Sequence, residues 1–370
     1  MRNAISNRSF WLMLLASTGL NMNAHALPSF ESSTGTNAPV ITGNDLSITV
    51  NQSRSVINWN SFDVASNESV IFNMNSSDAV LNLIGGDVSS SINGRISGAG
   101  TIYLINPNGM VFGPSSQVSV GSLVASSLSL SADDFNNDNF SFTESGSNGR
   151  VENLGRIFSQ GQGGSIALIG HTVNNEGLIF SSEGKVALAS GSAITMTFDN
   201  DNLMQFDVTG LIETNDNNID SAVANTGQIQ GINITLQAKS IDDVFDVAIN
   251  QDGVIQANGI VVANGEVRLT SQGGPIVIGD NSTINIPAED IIIEELASAT
   301  PEPPADDTTP PTTPPSGPAS FANNDGNTLN ANSASNSGDI EGVDAAIRLG
   351  LYGIDGSGIK LPEGHEEALF

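Results

Sequence analysis

The 370-residue sequence contains no cysteine, so no disulfide bond contributes to its stability. Aromatic residues make up only 5% of the chain, and 11 Lys and Arg stand against 40 Asp and Glu, a net charge of −29. Phosphate binding needs clusters of Lys and Arg, so the composition predicts that nucleic acid is not a partner. The acidic excess indicates a soluble, self-repelling surface, with divalent-cation binding or a salty habitat as the alternative.

Long apolar runs are also missing after the first 26 residues, where none approaches the roughly 18 residues of a membrane-spanning helix. The start of the chain carries Arg2 and Arg8, followed by a short apolar run over residues 10–20. An Ala-x-Ala box then ends at Ala26. This order predicts a signal peptide over residues 1–26, cleaved between Ala26 and Leu27, and therefore an exported protein. A membrane anchor is the alternative.

A short phrase recurs along the chain, made of glycine, one variable residue and isoleucine. Its copies begin at Gly94, Gly155, Gly177, Gly227 and Gly253. Most copies are followed by a second apolar strand, at residues 165–170, 185–190, 233–238 and 266–271. The steps from 155 to 177 and from 227 to 253 are 22 and 26 residues, which suits one coil of a β-solenoid.

Each of these strands alternates Ile, Val or Leu with Ser, Thr or Asn, so that one side is apolar. A single coil cannot bury that side, whereas stacked coils share one interior and bond their backbones to the coils above and below. We therefore predict an all-β solenoid of about a dozen coils. A β-sandwich is the alternative, although it would need more hairpin turns.

The repeat pattern ends near Leu296. Residues 299–342 are rich first in Pro and Thr and then in Asn and Ser, which predicts an extended spacer followed by a flexible linker. Residues 343–370 form a short tail, in which residues 343–351 predict a helix. The tail is either a docking or anchoring element or a disordered end.

Five short motifs follow one another in a fixed order between residues 58 and 126. They are Asn-Trp-Asn-Ser-Phe-Asp-Val at 58–64, Leu-Asn at 81–82, Ser-x-Ile-x-Gly at 90–94, Asn-Pro-Asn-Gly at 106–109 and a small-residue strand at 118–126. In order and spacing they resemble the N-terminal secretion domain of filamentous haemagglutinin-type exoproteins, the passenger half of two-partner secretion systems. The family's Leu-Asn-Arg-Val box lacks its arginine here, since Leu83 follows Asn82. The pattern is more similar to the high-molecular-weight adhesin subgroup.

The resemblance covers residues 27–246 and implies a right-handed parallel β-helix, to which residues 247–298 add further coils. It implies export by the Sec machinery and passage of the unfolded chain through a dedicated outer-membrane transporter of the polypeptide-transport β-barrel type. The protein would then be secreted from a Gram-negative bacterium or stay on its surface. Adhesion to a host cell, a bacterial surface or a polysaccharide is the usual role in the family, and no cofactor is implied.

The Asn-Pro-Asn-Gly motif has two compatible interpretations. Pro107 fixes φ at the second position of a β-turn, Asn106 can bond back to the backbone, and Asn108 and Gly109 tolerate the remaining angles. The resemblance adds a role in the signal that the transporter recognises.

Three residues of the other motifs are also open to two interpretations. Trp59 and Phe62 either close the first coil by packing or contact the transporter. Asn82 either satisfies backbone groups inside the stack or takes part in recognition.

Catalytic motifs are scarce. His171 and His365 are the histidines that follow the predicted signal peptide, His171 is predicted to lie in a turn, and no zinc-binding spacing occurs. We therefore expect no enzymatic activity, with a polysaccharide-active β-helix enzyme as the alternative and calcium binding as a further one. The candidate acids, all in predicted solvated loops, are Asp133 with Asp134, Asp199 with Asp201, and Asp242 with Asp243.

Overall fold

The computed structural model describes residues 26–146, 148–160, 163–182, 184–198, 204–215, 218–257, 265–286 and 290–297. The body of the predicted signal peptide, Asp199 and Asp201, and the predicted spacer and tail lie outside these residues. In chain order the elements are β1 (Ser29–Thr34), β2 (Val40–Thr42), β3 (Asp45–Thr49), β4 (Arg54–Ser61), β5 (Ser69–Asn73), β6 (Ala79–Ile84), β7 (Ser90–Ile92), β8 (Arg95–Ile105), β9 (Met110–Phe112), β10 (Gln117–Ser126), α1 (Ala132–Asn136), β11 (Ser141–Thr143), β12 (Arg150–Asn153), β13 (Arg156–Ser159), β14 (Ile166–Gly170), β15 (Thr172–Asn175), β16 (Leu178–Ser181), β17 (Lys185–Ser190), β18 (Ala193–Phe198), β19 (Met204–Gly210), β20 (Ser221–Asn225), β21 (Gln228–Gly231), β22 (Asn233–Lys239), β23 (Val247–Gln251), β24 (Val254–Ala257), β25 (Glu266–Gln272), β26 (Ile276–Ile278), β27 (Thr283–Asn285) and β28 (Ile291–Leu296).

Parallel pairing between successive coils stacks these strands into three faces. The first face runs β3, β5, the start of β8, the start of β10, β13, β16, β21, β24 and β27. The second face runs β4, β6, the end of β8, the end of β10, β14, β17, β22, β25 and β28. The third face is a 7-stranded sheet of β7, β9, β12, β15, β20, β23 and β26. The chain is therefore a parallel β-helix, as predicted, and the β-sandwich alternative is wrong.

The stack is shorter than the dozen coils predicted. Each of the first two faces contains nine strands, so the described residues form nine coils, about 40 Å of stack at ~4.8 Å per strand. The prediction assigned every residue to a coil. Residues 127–149 and 191–220 instead leave the stack between β10 and β12 and between β17 and β20.

The recurring glycines stack on one another at one corner of the helix. A Cβ atom on Gly177 would lie 2.2 Å from the carbonyl oxygen of Gly155, and a Cβ on Gly227 would lie 2.3 Å from that of Gly177. The same holds for Gly253, whose Cβ would lie 2.2 Å from the oxygen of Gly227. Successive backbones thus approach too closely at this corner for any side chain, which is why the phrase repeats with glycine.

The isoleucine of each phrase points into the stack. Ile157, Ile179, Ile229 and Ile255 are in register from strand to strand and are essentially inaccessible to solvent. Through Val118 their row continues to Ile96 in an earlier coil. Burial of such side chains contributes roughly 1.5–3 kcal/mol each and supplies most of the cohesion between coils.

A second inward row, on the third face, is polar. Asn153 Nδ2 donates to Asn175 Oδ1 at 2.7 Å, and Asn175 Nδ2 donates to Asn225 Oδ1 at 2.7 Å. Asn225 Nδ2 then donates to Gln251 Oε1 at 2.8 Å, and Gln251 Nε2 donates to the Gly253 carbonyl at 2.8 Å. The three asparagine amides each donate to the equivalent residue one coil away, which penalises any shift of register.

In its earlier coils, the second face is apolar on its outside as well as its inside. Leu81, Tyr103, Val124 and Ala167 form an outward row and are nevertheless buried. The two insertions cover this row: α1 with β11, and the β18–β19 hairpin, which joins β11 in a 3-stranded antiparallel sheet. A hydrophobic cluster outside the helix results, and no sequence pattern predicted it.

The first insertion also corrects the prediction for Asp133 and Asp134, which lie in the first turn of α1 instead of a solvated loop. Ser131 Oγ accepts from the Asp134 amide at 3.0 Å and donates to its Oδ2 at 2.6 Å, and Asn139 Nδ2 donates to Oδ1 at 2.6 Å. The bonds from Ser131 and then Asn139 hold the pKa of Asp134 below its ordinary value. A helix of five residues is too short to leave a periodic signal in the sequence.

Antiparallel strands close the first coil, since β1 pairs with β4 and β2 pairs with β3. Among the described residues no helix is long and apolar enough to span a membrane.

Replacing Gly177 with alanine tests the close approach at the glycine corner. We expect the free energy of unfolding to fall by about 1–3 kcal/mol, the usual cost of overpacking, because the new Cβ meets the Gly155 carbonyl. The measurement is urea unfolding of the exported chain, followed by the fluorescence of Trp59. Gly85→Ala is the control, since its Cβ would lie 3.7 Å from the nearest atom. Equal losses in the two variants would contradict the close-approach explanation.

Candidate functional site

The Asn-Pro-Asn-Gly motif forms the predicted turn between β8 and β9. The Gly109 amide donates to the Asn106 carbonyl at 2.8 Å, and the Asn108 amide donates to Asn106 Oδ1 at 3.0 Å. Gly109 has φ +90°, and a Cβ there would lie 2.4 Å from the Arg150 carbonyl. Glycine is therefore required at this position by both backbone angle and space.

Asn106 is fully buried and joins the turn to the coils on both sides. Its Nδ2 donates to the Val88 carbonyl at 3.1 Å and to Ser90 Oγ at 2.9 Å, both in the preceding coil. Its backbone amide donates to the Ser126 carbonyl of the next coil at 3.0 Å. The turn is therefore held rigidly within the stack.

The turn belongs to a corner that four successive coils share. Asn108 Nδ2 donates to the Gly86 carbonyl at 2.6 Å. A Cβ on Gly86 would lie 2.3 Å from the Asn60 carbonyl, and a Cβ on Gly149 would lie 2.3 Å from the Pro107 carbonyl. We call Asn60, Gly86, Pro107, Asn108 and Gly149 the motif corner. It brings the tryptophan motif and the Asn-Pro-Asn-Gly motif together.

Pro107 and Asn108 are the half-exposed residues of the turn, and a shallow groove lies on each side of them. Pro107, Leu83, Ile105 and Leu130 line one groove, of about 190 Å³. The other, of about 320 Å³, is lined by residues that include Asn108, Met110, Arg150 and Ile219. The folded turn therefore presents one proline ring and one amide to solvent, between two concave surfaces.

Trp59 and Phe62 lie inside the first coil with at most 1% of their surface exposed. Their rings meet edge to face at 5.4 Å between centroids, and Phe30 of β1 packs edge to face against Trp59 at 5.9 Å. This packing seals the first coil beneath β1.

Asn82 is also fully buried, one coil above Trp59. Its Oδ1 accepts from Trp59 Nε1 at 3.0 Å, and its Nδ2 donates to the Tyr103 carbonyl at 2.9 Å. It thus satisfies groups of the coils below and above, as the first of its two interpretations predicted. Leu83, where the family's arginine is absent, lies half-buried beside the apolar cluster outside the helix.

At the start of the described chain, Leu27 packs into the main hydrophobic core. The Ala26 amide donates to Glu68 Oε1 at 2.9 Å, and the Ala65 amide donates to Glu68 Oε2 at 2.8 Å. Sequence reasoning missed Glu68, because one buried acid in a polar stretch has no local signature. Cleavage between Ala26 and Leu27 stays a prediction.

The remaining candidate groups do not assemble into a site. His171 lies between β14 and β15, is 4% exposed, and places Nε2 2.9 Å from the Thr214 carbonyl. Asp242 and Asp243 lie in the segment between β22 and β23, with Asp243 at φ +62°. Within the described ranges, no three His, Cys, Asp or Glu side chains come together as a metal-binding group.

These features define a parallel β-helix whose first coils bury a tryptophan and stack an Asn-Pro-Asn-Gly turn at their corner. The family model of the TPS secretion domain matches residues 24–286, well over half of the chain. The chain therefore belongs to the family of two-partner secretion domains, as its motifs predicted. It is an exoprotein exported across the outer membrane to the cell surface or the extracellular space. A secretion domain of this family implies an outer-membrane transporter as its partner.

Two curated relatives are each named heme/hemopexin-binding protein, both from Haemophilus influenzae. The first, from strain Rd, is 29% identical over 236 residues, which is 62% of this chain and 25% of the relative. The second is 27% identical over 252 residues, 62% of this chain and 26% of the relative. The chain thus matches about a quarter of the length of these relatives.

Two solved structures are similar to this chain. The HMW1 secretion domain from Haemophilus influenzae has a TM-score of 0.45 at 20% identity and covers 73% of this chain and 100% of that structure. The filamentous hemagglutinin secretion domain has a TM-score of 0.47 at 16% identity and covers 74% of this chain and 100% of that structure.

Replacing Asn106 with alanine tests its role in holding the turn. Because the buried Ser90 hydroxyl, the Val88 carbonyl and the Asn108 amide each lose a partner, we expect the free energy of unfolding to fall by about 1–3 kcal/mol. Urea unfolding measures the loss. Asn108→Ala, which removes a half-exposed amide, should cost less, about 0.5–1.5 kcal/mol. The reverse order would show that the surface residue, not the buried one, holds the turn.

Proposed function

We propose that the motif corner and the coil beneath it form the signal by which the outer-membrane transporter recognises this chain. What carries this proposal is that the corner joins residues that lie up to about 90 positions apart in sequence (Asn60 to Gly149), two of the motifs among them. Four coils contribute residues to this corner, so a transporter that binds this one surface recognises the domain as a whole.

The signal has an exposed part and a buried part. Pro107 and Asn108 are accessible in the folded domain, together with the grooves on either side. Trp59, Phe62 and Asn82 are buried, so a transporter can contact them only before the first coils close. In this proposal the buried residues are recognised in the unfolded chain, after export from the cytoplasm by the Sec machinery.

Export through the transporter tests the exposed part. We expect Asn108→Ala to lower the amount outside the cell about tenfold, as the loss of ~1.4 kcal/mol of binding to the transporter would do. The chain is expressed with and without its transporter, and the periplasm, cell surface and medium are compared. Asn73→Ala, at the exposed end of β5, is the matched control.

Normal export of the Asn108→Ala variant would show that Asn108 is not part of the signal. Secretion of the unaltered chain without any transporter would overturn the whole recognition proposal. Urea unfolding of each variant separates poor export from poor folding.

Outside the cell, we propose that the β-helix serves in adhesion, by binding a host cell, a bacterial surface or a matrix polysaccharide. The support is the shape of the domain, because regular ladders of short side chains give it long, flat faces. The polysaccharide-cleaving alternative lacks support, since Asp134 is engaged in capping α1 and the described acids form no cluster of three.

Retention of purified protein on epithelial cells, on bacterial cells and on matrix-coated surfaces tests this role. We expect saturable binding to at least one surface, with no polymer cleaved. Hemin and hemopexin belong in the same assay because of the relatives' names. His171 is buried, and its Nε2 lies against a backbone carbonyl, so we expect no hemin ligation through it in the folded state. If the protein bound hemin or hemopexin and none of the surfaces, heme or hemopexin binding would replace adhesion as the proposed role.

A further inference from the structure

The first face differs in charge from the rest of this acidic protein. Its nine strands contain three charged residues, Asp45, Arg95 and Arg156, whereas the whole chain carries 40 acids against 11 basic residues. All three are exposed, and all three lie in the same outward row. The face is therefore locally cationic between Arg95 and Arg156.

These two arginines are also distinguished by their lack of ion pairs. Arg54, Arg150, Lys239 and Arg268 each pair with a carboxylate within 4.0 Å. Within the described ranges, Arg95 and Arg156 form no such pair. The nearby Glu176 carboxylate accepts from Asn174 Nδ2 of the third face at 3.0 Å.

The spacing of the two arginines is fixed by the ladder. Gln117 pairs in register with Arg95 on one side and with Arg156 on the other. The two arginine positions are thus two strand spacings apart, about 10 Å. Asp45 lies a further two strands beyond Arg95, also about 10 Å away. At physiological ionic strength the screening length is about 8 Å, so a bound anion responds chiefly to the arginines beneath it.

Aromatic rings lie beside the arginine row. Phe158 and Phe180, in register on adjacent strands, are half-exposed and have ring centroids 6.1 Å apart. Gln228 continues the arginine row two strands beyond Arg156. The face therefore offers cations and amides in one row, interrupted by Leu178, and an aromatic platform in the row beside it, both parallel to the stack.

We propose that this surface, defined by Arg95, Gln117, Arg156, Phe158 and Phe180, binds an extended anionic polysaccharide that runs along the helix axis. Guanidinium groups bind carboxylates and sulfates with charge-assisted hydrogen bonds, and sugar C–H faces pack on aromatic rings. A linear glycan has acidic groups at regular intervals and fits a flat ladder, whereas a compact anion would contact only one arginine. The inference rests on the adhesive role proposed above and gives it a ligand class.

The test uses the exported chain purified from the medium and measures its binding to heparin, polygalacturonate and uncharged dextran in about 0.15 M salt. We expect binding to one or both anionic polymers and none to dextran. Arg95→Gln and Arg156→Gln should each weaken binding about tenfold, the loss of one charge-assisted contact. Arg268→Gln, which removes the same charge from the second face, should change it less than twofold.

A second pair of variants separates sugar recognition from simple attraction between charges. Phe158→Ser and Phe180→Ser leave the charge unchanged and should still weaken binding severalfold. Urea unfolding confirms that each variant is folded. The proposal is overturned if the unaltered chain binds neither anionic polymer, if Arg268→Gln weakens binding as much as Arg156→Gln, or if the face instead pairs two copies of the chain in solution.

Failure of this inference is distinguishable from failure of the adhesive role. If the chain adheres to cells and the arginine variants adhere equally well, the polysaccharide surface is wrong and adhesion stands. If the chain binds polysaccharide but adheres to no surface, the polysaccharide surface stands and adhesion is wrong.

Discussion

The structure depends on the requirement that each coil complete its backbone hydrogen bonds with the coils above and below. A strand of the first face, such as β16, has no partner within its own coil, so its amides and carbonyls are satisfied only by β13 and β21. Register must then be kept along all nine coils. The glycine corner permits the close approach, and the isoleucine rows supply the cohesion. The structure departs from parallel stacking at two places. At the first coil, β1 and β2 pair antiparallel and close the stack, and outside the second face β11, β18 and β19 form an antiparallel sheet.

Polar side chains inside the stack follow the same requirement. Asn153, Asn175 and Asn225 each use an amide to reach the equivalent residue one coil away, and Asn82 and Asn106 bond to neighbouring coils in the same manner. A shift by one residue would leave several buried amides unpaired, at roughly 1–3 kcal/mol each. These residues therefore fix the register that apolar rows alone leave ambiguous.

Features that depend on a few neighbouring residues, or that recur in successive coils, can be predicted from the sequence. Glycine-isoleucine phrases revealed the corner and the inward row, and the Asn-Pro-Asn-Gly turn followed from the backbone preferences of its residues. The bond from Trp59 to Asn82 spans 23 residues and becomes predictable only when the coil length is known. The insertions were missed because Leu81 and Tyr103 look like ordinary core residues until their outward direction is established. Arg95 and Arg156 both occupy the variable position of the glycine-isoleucine phrase, but their separation by two strands follows only from the register of β8, β10 and β13.

The cover on the second face has a consequence for export from the N-terminus. If coils are added one at a time outside the cell, each new coil satisfies the open edge of the one before it, through contacts about one coil apart in sequence. The outward apolar cluster is different: Phe135 and Phe140 of the first insertion pack on Tyr103, but residues of β18 and β19, 90 or more positions after Tyr103, complete the same cluster. That apolar surface stays partly uncovered until residue 210 has emerged. The first six coils therefore become a closed unit together, and a fragment that ends before β19 would expose the apolar row that the intact domain buries.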